Sequence, residues 1–125
     1  MANQSNGGAY FAGNLRCDTV NGVEVYSALL TQAGTAAPVA TVLRNDLDGA
    51  VVWARSIAGV YTGTLVGAFL AATSVQVTLT VEGVAYVART SADVLTLTTC
   101  AVDAEGAAPA DDLLAGASIE VKIYN

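Results

Sequence analysis

The sequence predicts an all-β fold, an antiparallel sandwich or jelly-roll-like domain of about eight or nine short strands. Apolar and polar residues alternate along about ninety residues, the period of a half-buried strand. Gly-rich breaks divide that stretch into short pieces. No segment of useful length repeats its apolar residues at the helical period, and the one contrary window is Thr64 to Ala72, where Ala and Leu could form a helical turn.

Residues 1–8 are polar and end in Gly-Gly, which predicts a flexible arm before a single β domain over 9–125, with order beginning near Ala9. From Gly22, the segment GVEVYSALLTQ is rich in strand formers, and AGTAAP closes it as a loop ending at Pro38. Pro38 to Asp46 reads as a strand with Val39, Thr41 and Leu43 on one face. Asp48-Gly49 predicts a type I′ hairpin, because that turn needs positive φ at its central residues, and the returning strand would be Ala50 to Ile57 with Trp53. Ala58-Gly59 breaks the chain before Val60 to Val66, and Phe69 follows Gly67.

The alternation is strictest from Ser74 to Val81, with Val75, Val77, Leu79 and Val81 on one side and Gln76, Thr78 and Thr80 on the other. Glu82-Gly83 predicts a turn into Val84 to Arg89, and Asp93 opens a strand through Val102. Asp103 to Asp112, DAEGAAPADD, holds four carboxylates, Gly106 and Pro109 and is expected to be a surface loop. The last strand, Ser118 to Tyr124, alternates Ile119, Val121 and Ile123 with Glu120, Lys122 and Tyr124. The expected core is Val75, Val77, Leu79, Ile119, Val121 and Ile123, with Trp53 largely buried.

With 125 residues the chain has room for one domain and no second core. Hydrophobic residues make up 54% and mean hydropathy is +0.52, yet no apolar run approaches the ~18 residues of a membrane helix, so no membrane partner is expected. Charged residues are only 13%, about half the usual share, and Thr, Ser and Gly fill the polar positions. Either part of this surface is covered by another copy or another protein, or the chain is a Thr-rich monomer. Eleven carboxylates against five basic residues give a net charge of −6, which opposes binding to nucleic acid. The cations Arg16, Arg44, Arg55, Arg89 and Lys122 are scattered, as on solvated strand faces. The N-terminus lacks a basic-then-apolar export pattern, so synthesis and retention in the same compartment are expected. Cys17 and Cys100, far apart in sequence, are expected to be reduced, with Cys100 buried in a strand.

Catalytic chemistry is hard to assemble from these residues. Without histidine a serine or cysteine triad lacks its usual base, so the expectation is a protein that is not an enzyme, with no catalytic, cofactor or metal site. Asn45 to Gly49 and the Asp103 to Asp112 loop could offer oxygen ligands to calcium. Neither has EF-hand spacing, ordinary turns account for both, and calcium is expected to be unnecessary for folding. Gly59 and Gly63 lie in strand-rich surroundings without the helix or lysine of a phosphate loop.

Three stretches resemble the small β-rich virion structural proteins of tailed bacteriophages: Tyr26 to Leu43 (YSALLTQAGTAAPVATVL), Val51 to Leu65 (VVWARSIAGVYTGTL) and Asp111 to Asn125 (DDLLAGASIEVKIYN). Ala71 to Val102 does not share the Asn- and Lys-rich character of that group. The resemblance implies a capsid decoration (cement) protein or a head-fibre base, made in the host cytoplasm and located in the virion. Its implied partner is the major capsid protein, and its implied assembly a homo-oligomer, with a trimer favoured by how such proteins sit at threefold positions. A different class, a cell-surface or tail-associated module recognising glycan or protein through its loops, would be marked by aromatic residues gathered at one loop end. A small hydrolase would need a carboxylate pair about 5 to 9 Å apart in a cleft.

Overall fold

The computed structural model describes residues 23–103 and 106–124, and the expected arm, Cys17 and the start of order near Ala9 lie outside them. Nine strands and no helix are found among the described residues: β1 (Val23–Thr31), β2 (Val39–Asn45), β3 (Val52–Ile57), β4 (Val60–Thr64), β5 (Thr73–Thr78), β6 (Val84–Arg89), β7 (Val94–Asp103), β8 (Gly106–Pro109) and β9 (Ala115–Tyr124). They form two antiparallel sheets. The first has the order β2-β1-β9-β5, and the second β3-β4-β7-β6, with β8 pairing the far end of β7. The all-β sandwich is therefore the fold of the chain.

Period-two alternation places the core. Ile119, Val121 and Ile123 of β9 are fully buried and lie beside Tyr26, Ala28 and Leu30 of β1, whose intervening residues face outward. Leu95 and Leu97 of β7, Tyr61 of β4 and Trp53 of β3 close over them from the second sheet. Val75, Val77 and Leu79 are only half-buried, because β5 is an edge strand and covers one flank of the core. Val81 departs from expectation and is exposed: the strand ends at Thr78, and residues 79–83 carry the chain to the other sheet.

The expected Asp48-Gly49 hairpin is absent for a topological reason. Asp48-Gly49 joins β2, which bonds to β1, to β3, which bonds to β4 in the facing sheet. The turn is closed by a side chain: Asn45 Oδ1 accepts from Leu47 N–H (2.8 Å), and Asn45 Nδ2 donates to the Gly49 carbonyl (2.9 Å). Glu82-Gly83 likewise crosses between sheets, from β5 to β6. The hairpin that does form nearby is β3-β4, turning at Gly59 with φ +73°.

Residues 65–72 make no helical turn of α type. A tight turn, Ala68 N–H to Leu65 carbonyl, is followed by Phe69, whose fully buried ring plugs the core. Its backbone is anchored on both sides, Phe69 N–H to Ala92 carbonyl (2.8 Å) and Arg89 Nε to Phe69 carbonyl (2.7 Å). Within the segment expected to be a surface loop, Gly106–Pro109 forms a strand. Gly106–Pro109 pairs with Cys100–Asp103, so β7 and β8 form a hairpin, and Pro109 stands at its end where a missing N–H does least harm. Cys100 lies in β7, buried and free.

Candidate interaction surface

The most connected polar cluster lies at the junction of the sheets. Asp111, between β8 and β9, accepts from Arg55 Nε and Nη2 (closest 2.8 Å), from Gly59 N–H (3.0 Å) and from the Tyr61 hydroxyl (2.8 Å). The Tyr61 hydroxyl also lies 2.8 Å from Gln32 Oε1, so its single proton serves one acceptor at a time. Gln32 Oε1 accepts from Asp112 N–H, and its Nε2 donates to the carbonyls of Gly34 and Ala36. Gln32 follows β1 of the first sheet, whereas Arg55 and Tyr61 belong to β3 and β4 of the second.

Electrostatics follow from these contacts. The Arg55 guanidinium, helped by the Gly59 N–H, holds the Asp111 carboxyl well below the usual carboxylate range against an opposing effect of burial. Asp111 in turn raises Arg55. Burial, then the hydrogen bond to Asp111, pushes the Tyr61 phenol up to about 12. Both carboxylate oxygens of Asp111 are engaged, and the arrangement functions as a clasp between sheets. The other acidic turn is similarly occupied: Asp46 pairs with Arg44 at 2.8 Å and accepts from Val25 N–H, and Arg44 lowers its pKa. Among the described residues no three of the metal-ligating types gather where they could hold an ion.

The two outer faces of the sandwich differ sharply in charge. On the first sheet, register places Arg44 beside Ser27, then Glu120 and Gln76, with Lys122 between Val25 and Ser74. Lys122 and Glu120 form an exposed ion pair at 3.8 Å. The edge strand β2 of the same sheet also exposes Val39, Val42 and Leu43.

The second sheet presents no charged side chain on the corresponding rows. Reading across the strands, Val52, Thr64 and Val94 make one row, and Ala54, Thr62, Thr96 and Ala88 the next. Ile57, Val60, Thr98 and Tyr86 make a third, and Val84 and Pro109 flank Cys100 beyond it. Val52 (64% exposed), Ile57 (62%) and Tyr86 (56%) stand open on this face. The single arginine in this part of β3, Arg55, is turned inward to Asp111. These rows carry no charged side chain, and within them Thr98 and Cys100 are buried while Val52, Ile57 and Tyr86 are exposed.

The low charge of the chain is visible in its composition, but its concentration on one face is not. A local signal existed: on β9 the outward positions are Glu120 and Lys122, whereas the outward positions of β4 and β7 are Thr62, Thr64, Thr96 and Thr98. Using it required knowing which strands share a sheet. No family model matches the chain, and no curated protein or solved structure matches it.

Proposed function

We propose that this chain is a noncatalytic structural protein of a bacteriophage particle, a decoration or cement protein that binds the outer surface of the major capsid protein as a homo-oligomer, with a trimer favoured. The observation that carries the reading is the uncharged outer face of the second sheet, taken with the sequence resemblance over Tyr26–Leu43, Val51–Leu65 and Asp111–Asn125. Copies with a net charge of −6 repel one another, and close packing on a shell favours contact where charge is absent. A chain without histidine, whose Asp111 is fully engaged in a clasp, suits a structural task. Synthesis in the host cytoplasm and residence in the virion belong to the same reading.

The test uses the full chain, with mass by light scattering and co-sedimentation with undecorated capsids of the virus that encodes it. Wild type is expected to form a closed oligomer and to pellet with capsids. Ala54→Glu with Ala88→Glu, both exposed on the uncharged face, is expected to keep the melting temperature and lose one or both associations. A wild-type protein that stays monomeric at high concentration and ignores capsids overturns the proposal.

A further inference from the structure

One end of the sandwich holds a pocket of about 220 Å³, walled by Leu47, Leu65, Ala68 and Leu70 and bearing the carboxylates of Glu24 and Asp48. Glu24 is out of place by pattern. It occupies the inward row of β1 with Tyr26, Ala28 and Leu30, paired with Ile123, where every other member is buried and either aromatic or aliphatic. Among the described residues neither carboxylate has a hydrogen-bond or ion-pair partner, and none of those lining the pocket is basic. A half-buried carboxylate on a core row is costly unless water or a cation meets it, so packing alone does not account for Glu24.

The complement of such a pocket is a group with an aliphatic stem and a cationic end. Lysine and arginine side chains have that build, burying the stem on apolar surface while the head stays near opposite charge. The volume is smaller than the roughly 300–1,000 Å³ of pockets for drug-sized ligands, which suits one inserted side chain. Val66, 81% exposed beside the pocket, and the exposed Leu70 supply apolar surface at its rim. We propose that this pocket docks a basic side chain, lysine or arginine, projecting from a partner protein, with its stem on Leu47, Leu65 and Leu70 and its charged end at Glu24 and Asp48. None of these residues lies on the uncharged sheet face, so the inference goes beyond the capsid reading and does not depend on it.

The test is an amide chemical-shift titration of the isotope-labelled full chain with N-acetyl-lysine methylamide, N-acetyl-arginine methylamide and, as an uncharged control of similar stem, N-acetyl-norleucine methylamide. Saturable shifts at Gly67 and Ala68 are expected for the lysine or the arginine probe, with a dissociation constant on the order of millimolar. Binding is expected to weaken at least tenfold in Glu24→Gln with Asp48→Asn, and to weaken in ~1 M salt. Melting curves check that the double variant is folded; should it not be, Asp48→Asn alone, at an exposed position, serves with the salt series. Absence of saturable shifts at the pocket overturns the proposal. Equal binding of the norleucine control, or binding indifferent to both the carboxylate variants and salt, overturns it as well.

Discussion

The indole N–H of Trp53, in the second sheet, donates to the hydroxyl of Tyr26, in the first, at 3.2 Å, within the core. Trp53 can lie there because its neighbour across the strand pair is Gly63: a Cβ at that position would stand 2.9 Å from the ring. The glycine makes room for the ring, and the ring covers the glycine. Tyr26→Phe is expected to cost about 1–3 kcal/mol, since it leaves the indole N–H without its partner. Trp53→Phe should cost more, through the added loss of packing volume. Urea denaturation of both singles and the double gives the coupling, and strictly additive losses would remove the hydrogen bond from the account.

The clasp predicts two opposite pH dependences. The Asp111 carboxyl is lowered in the folded state, so its contribution is present above the unfolded carboxylate pKa of about 3.9 and is lost as pH falls toward its lower folded value. Asp111→Asn is therefore expected to melt below wild type at neutral pH, with the gap narrowing in acid. A gap that is constant down to the acid limit would contradict this assignment.

Tyr61 carries the opposite sign. Its pKa is raised to about 12, so the stabilisation is complete below the unfolded value of about 10 and is lost as pH rises from there through the folded value. Tyrosinate absorbance should include a transition near 12 that is missing in Tyr61→Phe. At neutral pH that variant should lose about 1 kcal/mol, from the hydroxyl shared by Gln32 and Asp111.

Gly59 and Gly34 both have positive φ, +73° and +61°, but differ in surroundings. A Cβ on Gly59 would press on Ala110 N and lie 2.7 Å from the Thr99 carbonyl oxygen, whereas nothing stands within 4 Å of one on Gly34. Gly34→Ala is expected to cost about 1 kcal/mol for the backbone conformation alone. Gly59→Ala should cost several times more, because the hairpin must separate from β7 and the β8–β9 connection. Similar melting temperatures for the two variants would refute the contact.

Val121→Asp is expected to unfold the domain, placing a charge at a fully buried site with a cost of several kcal/mol against an ordinary stability of about 5–15. Val77→Asp should do less harm, since β5 leaves Val77 half-buried and the carboxylate can reach water. Circular dichroism of the two purified variants checks the order.

Residue pattern alone determined the all-β class, the positions of most strands and the inward set Ile119, Val121 and Ile123, since alternation is a property of a strand's own residues and needs no partner. The burial of Trp53 was legible too. Only tertiary structure decided that Asp48-Gly49 and Glu82-Gly83 cross between sheets, because a turn dipeptide is compatible with either outcome and the choice rests on strands distant in sequence: β2 pairs with β1 while β3 lies opposite, and β5 pairs with β9 while β6 joins β7. The same holds for Asp111, which reads as one more loop carboxylate until folding brings Arg55, Gly59 and Tyr61 around it, fifty or more positions away. Which strands share the uncharged face, and that Glu24 looks inward beside Asp48, were likewise decided by pairing, because composition counts charges while long-range hydrogen bonding distributes them in space.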